Sequence, residues 1–192
     1  MLKIKVAPLE RGGLAETTVG GSTLEHADYG ASTLSCAVVA FPSSSGGDVG
    51  VEPDQTRTLA PGVYSNVSIK SRAELKLAAG TYYFDSLTTE PQGKLSLNTS
   101  NGLIRVYVRN VLTLRGPMPS SKGPGRVLLV YTGAGMASIE QPLGATLVAP
   151  NAKVELKSVA NPGHGGAVFA KQVELHQNTT FTQVGFQGGW RP

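Results

Sequence analysis

The stretch LAPGVY at residues 59–64 decides the fold, because it returns 18 residues later as LAAGTY at residues 77–82. A second pair of similar stretches lies further along the chain, where APNAKVEL (149–156) is echoed by AKQVEL (170–175). Repetition at such a period is typical of solenoids, in which one supersecondary unit stacks on the next. The repeat therefore predicts a coiled architecture.

Apolar residues recur between these stretches in two interleaved series at an interval of about 20 residues. One series is Val67/Ile69, Leu87, Val106/Val108, Val127/Leu129, Leu147 and Val168. The other is Leu75/Leu77, Leu95/Leu97, Leu112/Leu114, Ala137/Ile139, Val154/Leu156 and Val173/Leu175. Two series with one shared period predict at least two short strands in each repeat.

The local pattern indicates strands and not helices. In IRVYVR (104–109) the apolar residues alternate with polar ones, as in a strand with one buried face. Turn residues such as those in PQG (91–93) and NPGH (161–164) punctuate the strands and place His164 in a loop. Residues 71–79 and 167–175 have good helix propensity, but their apolar residues fall in the strand series. An antiparallel sandwich remains the structural alternative.

We therefore predict a right-handed parallel β-helix over residues 57–192, with about 20 residues in each coil. Residues 1–56 are interpreted as an N-terminal capping and linker segment, in which residues 23–41 cover the end of the core. Solenoids need such caps, because a terminal coil exposes apolar surface and unpaired strand edges.

Composition and charge exclude several classes of protein. Charged residues make up 16% of the chain, which contains 24 glycines and 12 prolines, a balance that suits many short strands joined by tight turns. The net charge is +4, with −4 in residues 1–56 and +8 in residues 57–192. The basic residues form no run typical of nucleic-acid binding. The single cysteine, Cys36, cannot form an internal disulfide.

No apolar run is long enough to cross a bilayer, so we expect no direct membrane insertion. The first residues, MLKIKVAP, lack the apolar core of a signal peptide. This favours either a cytoplasmic protein or a piece of a longer exported chain.

The repeated segments also resemble a known kind of protein. The stretches LAPGVY, LAAGTYYFDSL, IRVYV, VYTG, TLVAPNA and VFAK, within residues 57–186, are similar to an uncharacterised bacterial surface domain. This domain is found at the C-terminal end of pilus-assembly-like and other exported proteins. The resemblance implies a short parallel β-helix, an extracellular location and no enzyme activity.

Catalytic and ligand-binding motifs are absent from the sequence, so we predict no catalytic residue, no cofactor and no metal site. The three histidines, His26, His164 and His176, have no metal-ligand spacing. Glu155 and Glu174 occupy equivalent positions in adjacent repeats, and lysines flank both. We interpret them as a charge ladder on the outer surface and not as the acid pair of a glycosidase.

One basic surface is the candidate binding site. Arg105, Tyr107 and Arg109 point away from the core along one strand, and Arg115 and Arg126 follow in the next coil. Guanidinium and aromatic groups on a flat sheet suit an acidic glycan or a phosphate-bearing surface.

The sequence thus favours a non-catalytic structural or adhesive module of a bacterial surface or fibre protein. Its partners would be further copies of itself, joined end to end, or other surface and pilus proteins. The first alternative is a glycan- or anion-binding module, and the second is an intracellular filament subunit of the bactofilin kind.

Overall fold

The computed structural model describes residues 2–5, 16–19, 39–43, 46–159 and 161–188. The chain divides into two units, residues 1–37 and 38–192. In the first unit, β1 (Leu2–Lys5) pairs antiparallel with β2 (Glu16–Val19). The predicted cap at residues 23–41 lies outside the described residues, except for residues 39–41.

The second unit is an all-β parallel solenoid of about seven turns, with strands about 20 residues apart. The predicted parallel β-helix is therefore confirmed. Its strands are β3 (Val49–Val51), β4 (Thr56–Leu59), β5 (Gly62–Ile69), β6 (Glu74–Ala78), β7 (Gly80–Thr89), β8 (Lys94–Asn98), β9 (Ile104–Leu114), β10 (Val127–Tyr131), β11 (Ala137–Ile139), β12 (Gly144–Leu156), β13 (His164–Leu175) and β14 (Phe181–Gln183).

Each coil has three sides. The first side contains β10, β14 and the opening residues of β5, β7, β9, β12 and β13. Those five long strands bend and continue onto the second side, where they join β3 and β11. The third side contains β4, β6 and β8. Backbone pairing with β5 is already present at residues 46–51, ahead of the boundary predicted at residue 57.

The predicted register is wrong in part. Val106 pairs with Leu129, which pairs with Leu147, so these three residues stack on the first side as expected. Val127, in contrast, pairs with Ile104 and does not stand between Val106 and Leu147.

The two predicted series also exchange sides. Val67 and Leu87 pair with each other, but the next residue in their column is Leu112 and not Val106. The cause is coil length. Val67 and Leu87 are 20 residues apart, whereas Leu87 and Leu112 are 25 apart, so a constant period slips from one side to the next.

The second predicted series changes sides for another reason. Leu77 and Leu97 stack on the third side, which loses its regular strands after β8. Leu95 and Leu97 of β8 donate their backbone N–H groups to the carbonyls of Pro117 and Pro119 in the following coil. Proline has no backbone N–H, so Pro117 and Pro119 cannot donate hydrogen bonds to the preceding coil, and a regular strand does not form here.

The core is a column of stacked apolar side chains enclosed by the three sides. Tyr82, Phe84 and Tyr131 are its largest members and are at most 1% exposed. The Tyr82 hydroxyl is satisfied, because it donates to the Ala78 carbonyl at 3.0 Å and accepts from the Ala78 N–H at 3.1 Å. Each fully buried leucine or phenylalanine contributes roughly 1.5–3 kcal/mol, so the stacked columns dominate the stability.

Candidate functional site

Three of the five residues predicted for binding share one surface. Arg105, Tyr107 and Arg109 lie on β9, on the outer face of the first side. Tyr107 stacks on Tyr83 of the preceding coil, with ring centroids 5.0 Å apart and planes 14° apart. Burial raises the pKa of the Tyr107 hydroxyl. Each ring therefore occupies a face of the other, and that face is not open to a sugar.

The Arg109 guanidinium already has partners within the chain. It lies 2.5 Å from a carboxylate oxygen of Asp85 and 5.4 Å from the centroid of the Phe41 ring. Phe41 in turn meets Tyr83 edge to face at 5.7 Å. An incoming anion would have to displace Asp85 from this arginine.

The C-terminal segment, residues 184–188, returns across the same side. Val184 donates to the Gly166 carbonyl, and Gln187 donates to the Gly125 carbonyl, both at 2.7 Å. Phe186 then lies beneath the Arg105 guanidinium, 5.8 Å from it. The segment thus runs from the last coil back towards β9 and occupies one face of Arg105.

The other two predicted residues do not lie on β9. Arg115 follows the end of β9 on the second side and contacts Glu140 at 3.1 Å. Arg126 ends a 3₁₀ turn, Pro124–Arg126, immediately before β10, and it donates to the Thr99 carbonyl at 3.5 Å. Since Val127 pairs with Ile104, Arg126 lies near the Arg105 end of the surface, whereas Arg115 lies on another side of the coil.

Glu155 and Glu174 pair directly across β12 and β13, as the sequence predicts for a stacked ladder. Lys157 lies 2.7 Å and His176 lies 2.8 Å from the same oxygen of Glu155, and Lys153 contacts Glu174. These neighbours hold the pKa of both carboxyls below the usual range.

Ligand atoms of Glu155, Glu174 and His176 lie within 4.8 Å of one another, the size of a metal site. Ammonium groups, however, already occupy the carboxylates, because Lys157 contacts Glu155 and Lys153 contacts Glu174. A metal ion would have to displace two cations, so the cluster is better suited to an ion-pair network than to a metal.

His164 is a residue whose role the sequence analysis missed. It begins β13 and is 1% exposed, so its predicted position in a loop is wrong. Its Nδ1 accepts from the Leu143 N–H at 3.1 Å, and its Nε2 lies 2.9 Å from the Lys157 carbonyl. The only assignment that satisfies both contacts is a neutral ring that donates from Nε2. Burial lowers its pKa, and no sequence signal distinguishes this histidine from an exposed one.

An apolar cleft of about 300 Å³ lies on the third side, where the regular strands end. Met118 and Leu143 line it together with five prolines, which are Pro117, Pro119, Pro124, Pro142 and Pro162. Prolines and glycines supply most of its wall, and it contains no titratable side chain. The cleft therefore has no group for acid–base chemistry.

The described residues form no helix long and apolar enough to span a bilayer. The chain matches no family model, no curated protein and no solved structure.

Proposed function

We propose that this chain is a non-catalytic structural or adhesive module of a bacterial surface or fibre protein. The proposal rests mainly on the ion pairing of the acidic residues. Among the described residues, every carboxylate from Asp54 to Glu174 has a cationic partner within ion-pair distance.

Most of these ion pairs join one coil to the next. The pairs that do so are Asp54–Arg72, Lys70–Glu90, Glu74–Lys94, Asp85–Arg109, Arg115–Glu140 and Lys153–Glu174. Enzymes that cleave glycans need carboxylates that converge on a cleft and remain available for proton transfer or nucleophilic attack. Acids held on the cations of a neighbouring coil serve instead to link the coils, which supports a structural role.

The outer face of the first side supports a structural role more than glycan binding. Arg109 is paired with Asp85, and the tyrosine rings of this face stack on each other. The surface location remains part of the proposal and rests on the resemblance of residues 57–186 to bacterial surface domains.

Two measurements test the proposal: the location of the protein in cells and its activity on polysaccharides. Immunogold labelling of cells that produce the full-length protein should place it on the cell surface or on fibres. The purified chain should release no reducing ends from acidic or neutral polysaccharides. Label confined to the cytoplasm would overturn the surface role. Glycan cleavage that is lost in Glu155→Gln or Glu174→Gln would overturn the non-catalytic role.

A further inference from the structure

The last coil leaves the edge of β13 open. β14 pairs with β13 only from His164 to Gly166, and beyond that point β13 has no strand partner on this side among the described residues. An unpaired strand edge is a template for another strand. The open part runs from Val168 to Leu175.

The direction of the free backbone groups follows from their neighbours. The Gly166 carbonyl accepts a hydrogen bond from the Val184 N–H on the open side. Every second residue of a strand directs its backbone groups to the same side, so Val168 and Ala170 also direct theirs to the open side. The His176 N–H donates to the Leu156 carbonyl on the closed side. Leu175 is one residue and Val173 three residues before His176, so both direct their backbone groups to the opposite, open side. Within the part of the chain that the structure describes, four residues thus present N–H and C=O groups without a strand partner, two on each side of the bend in β13.

The two ends of the solenoid differ in exposure. In the first coil Val49, Val51 and Leu59 are at most 4% exposed. In the last coil Val173 is 42% exposed, and Leu175 is only half-buried. Both ends have strand edges without a partner among the described residues, but only the C-terminal coil also exposes apolar side chains along its edge, so we place the contact there and not head to tail.

We propose that two copies of the chain associate tail to tail about a two-fold axis, through antiparallel pairing of β13 with β13 of the second copy. If the axis passes through the bend, Val168 lies opposite Leu175 of the second copy and Ala170 lies opposite Val173. All four open backbone positions then form hydrogen-bonded pairs. The same rotation places the first side of one copy over the second side of the other, so the apolar columns continue across the interface.

In this register no two directly opposite residues carry like charges. Phe169 lies opposite Glu174 of the second copy, and Lys171 lies opposite Gln172. Like charges directly opposite each other would destabilise the pairing, and none occur here. Phe169 is 54% exposed in the single chain, and the paired arrangement gives its ring a neighbour. The interface is isologous and closes on itself, so it predicts a dimer and not an open-ended fibre.

This inference goes beyond the proposed function, and its test uses the purified chain and not cells, so each can fail alone. Sedimentation equilibrium of the 192-residue chain, over concentrations up to about 1 mM, should show monomers and dimers with no larger species. Val173→Asp should raise the dimer dissociation constant at least tenfold, because it places a charge in the centre of the pairing. The matched control Met136→Asp replaces a residue that is 54% exposed and lies outside β13, and it should leave the constant unchanged.

Cross-linking tests the register without relying on the stability of the aspartate variant. In a Cys36→Ser background, the double variant Phe169→Cys/Glu174→Cys should form a covalent dimer on mild oxidation. Its cysteines lie opposite each other in a non-hydrogen-bonded pair, where side chains approach most closely. The control Phe169→Cys alone, in the same background, should form far less covalent dimer, because its cysteine faces Glu174 of the second copy and not another cysteine. A strictly monomeric chain, open-ended filaments, or equal cross-linking in the double and the single variant would each overturn the proposal.

Discussion

At the scale of single residues, polar groups inside the solenoid hold the corners of the coils. Thr89 stands in an apolar column between Ile69 and Leu114 and is 2% exposed. Its hydroxyl oxygen accepts from the backbone N–H groups of Arg115 and Gly116, at 2.8 and 2.9 Å. One side chain thus satisfies the Gly116 N–H and shares the Arg115 N–H with the Thr89 carbonyl, which lies 3.3 Å from it.

His164 performs the same task between the two coils that contain β12 and β13, and its substitution should be costly. His164→Phe would leave the Leu143 N–H without a partner and the Lys157 carbonyl with only the Thr179 hydroxyl at 3.4 Å, so we expect a loss of about 2–3 kcal/mol in the free energy of unfolding. Urea unfolding at pH 8 measures this loss. A loss below about 0.5 kcal/mol would show that these contacts do not stabilise the fold.

The same residue predicts a pH dependence. Burial lowers the pKa of His164 in the folded state below its ordinary value of 6.5. The unfolded chain therefore binds the proton more readily, and the stabilisation is complete above pH 6.5 and declines as the pH falls through the folded-state pKa. Wild-type stability should fall below pH 6.5 more steeply than that of His164→Phe, which lacks this titration. Parallel curves would contradict the prediction.

At the scale of elements, close stacking of turns matters as much as strand pairing. Gly116 is buried directly over Gly93, and a Cβ at Gly116 would lie 1.6 Å from the Gly93 carbonyl oxygen. Gly116→Ala would therefore force two coils apart, and we expect a loss of about 3 kcal/mol or more. Gly185→Ala is the control, because a Cβ there meets nothing within 4 Å. Equal thermal stability of the two variants would argue against this packing.

The contact between β6 and β8 predicts a second pH dependence. Ser96 donates to Glu74 at 2.6 Å, and with help from Lys94 and Lys76 it lowers the pKa of Glu74 to about 2, against a smaller opposing effect of burial. The stabilisation is present above the unfolded-state pKa near 4.5 and is lost as the pH falls towards 2.

Glu74→Gln should therefore cost on the order of 2 kcal/mol at pH 7, with allowance for solvent screening, and much less at pH 2.5. Denaturant unfolding at the two pH values gives the comparison. Ser96→Ala should reproduce part of the effect, because the Ser96 hydrogen bond is the largest cause of the shift. A penalty for Glu74→Gln that does not change with pH would refute this account.

At the scale of the whole molecule, the stability should come from the core and only slightly from the ion pairs. Solvent-exposed ion pairs contribute about 0–1 kcal/mol each and are screened by salt. Raising NaCl from about 0.05 to 1 M should lower the Tm by only a few degrees. Leu129→Ala, at a core residue that is 1% exposed, should cost about 2–5 kcal/mol. A collapse of the Tm in high salt would show that the ion pairs carry the fold.

The sequence predicted the architecture well and the candidate surface only in part. Alternation in IRVYVR correctly indicated that Arg105, Tyr107 and Arg109 point outward on one strand. It could not indicate that Asp85, Phe41 and Phe186 would contact these residues, since the three lie in other coils or outside the strands. The stacking of Glu155 on Glu174 was predictable, because the repeat is regular at that point.

Periodicity by itself determined that the chain coils, because apolar alternation and turn residues act locally and need no knowledge of the neighbouring coil. Only the tertiary structure decided which residues stack, because register is the running sum of all coil lengths, and the coil from Leu87 to Leu112 is five residues longer than the one before it. The tertiary structure also decided which histidine is buried and which strand edge stays open. Both depend on whether another coil lies above, and no local pattern records that.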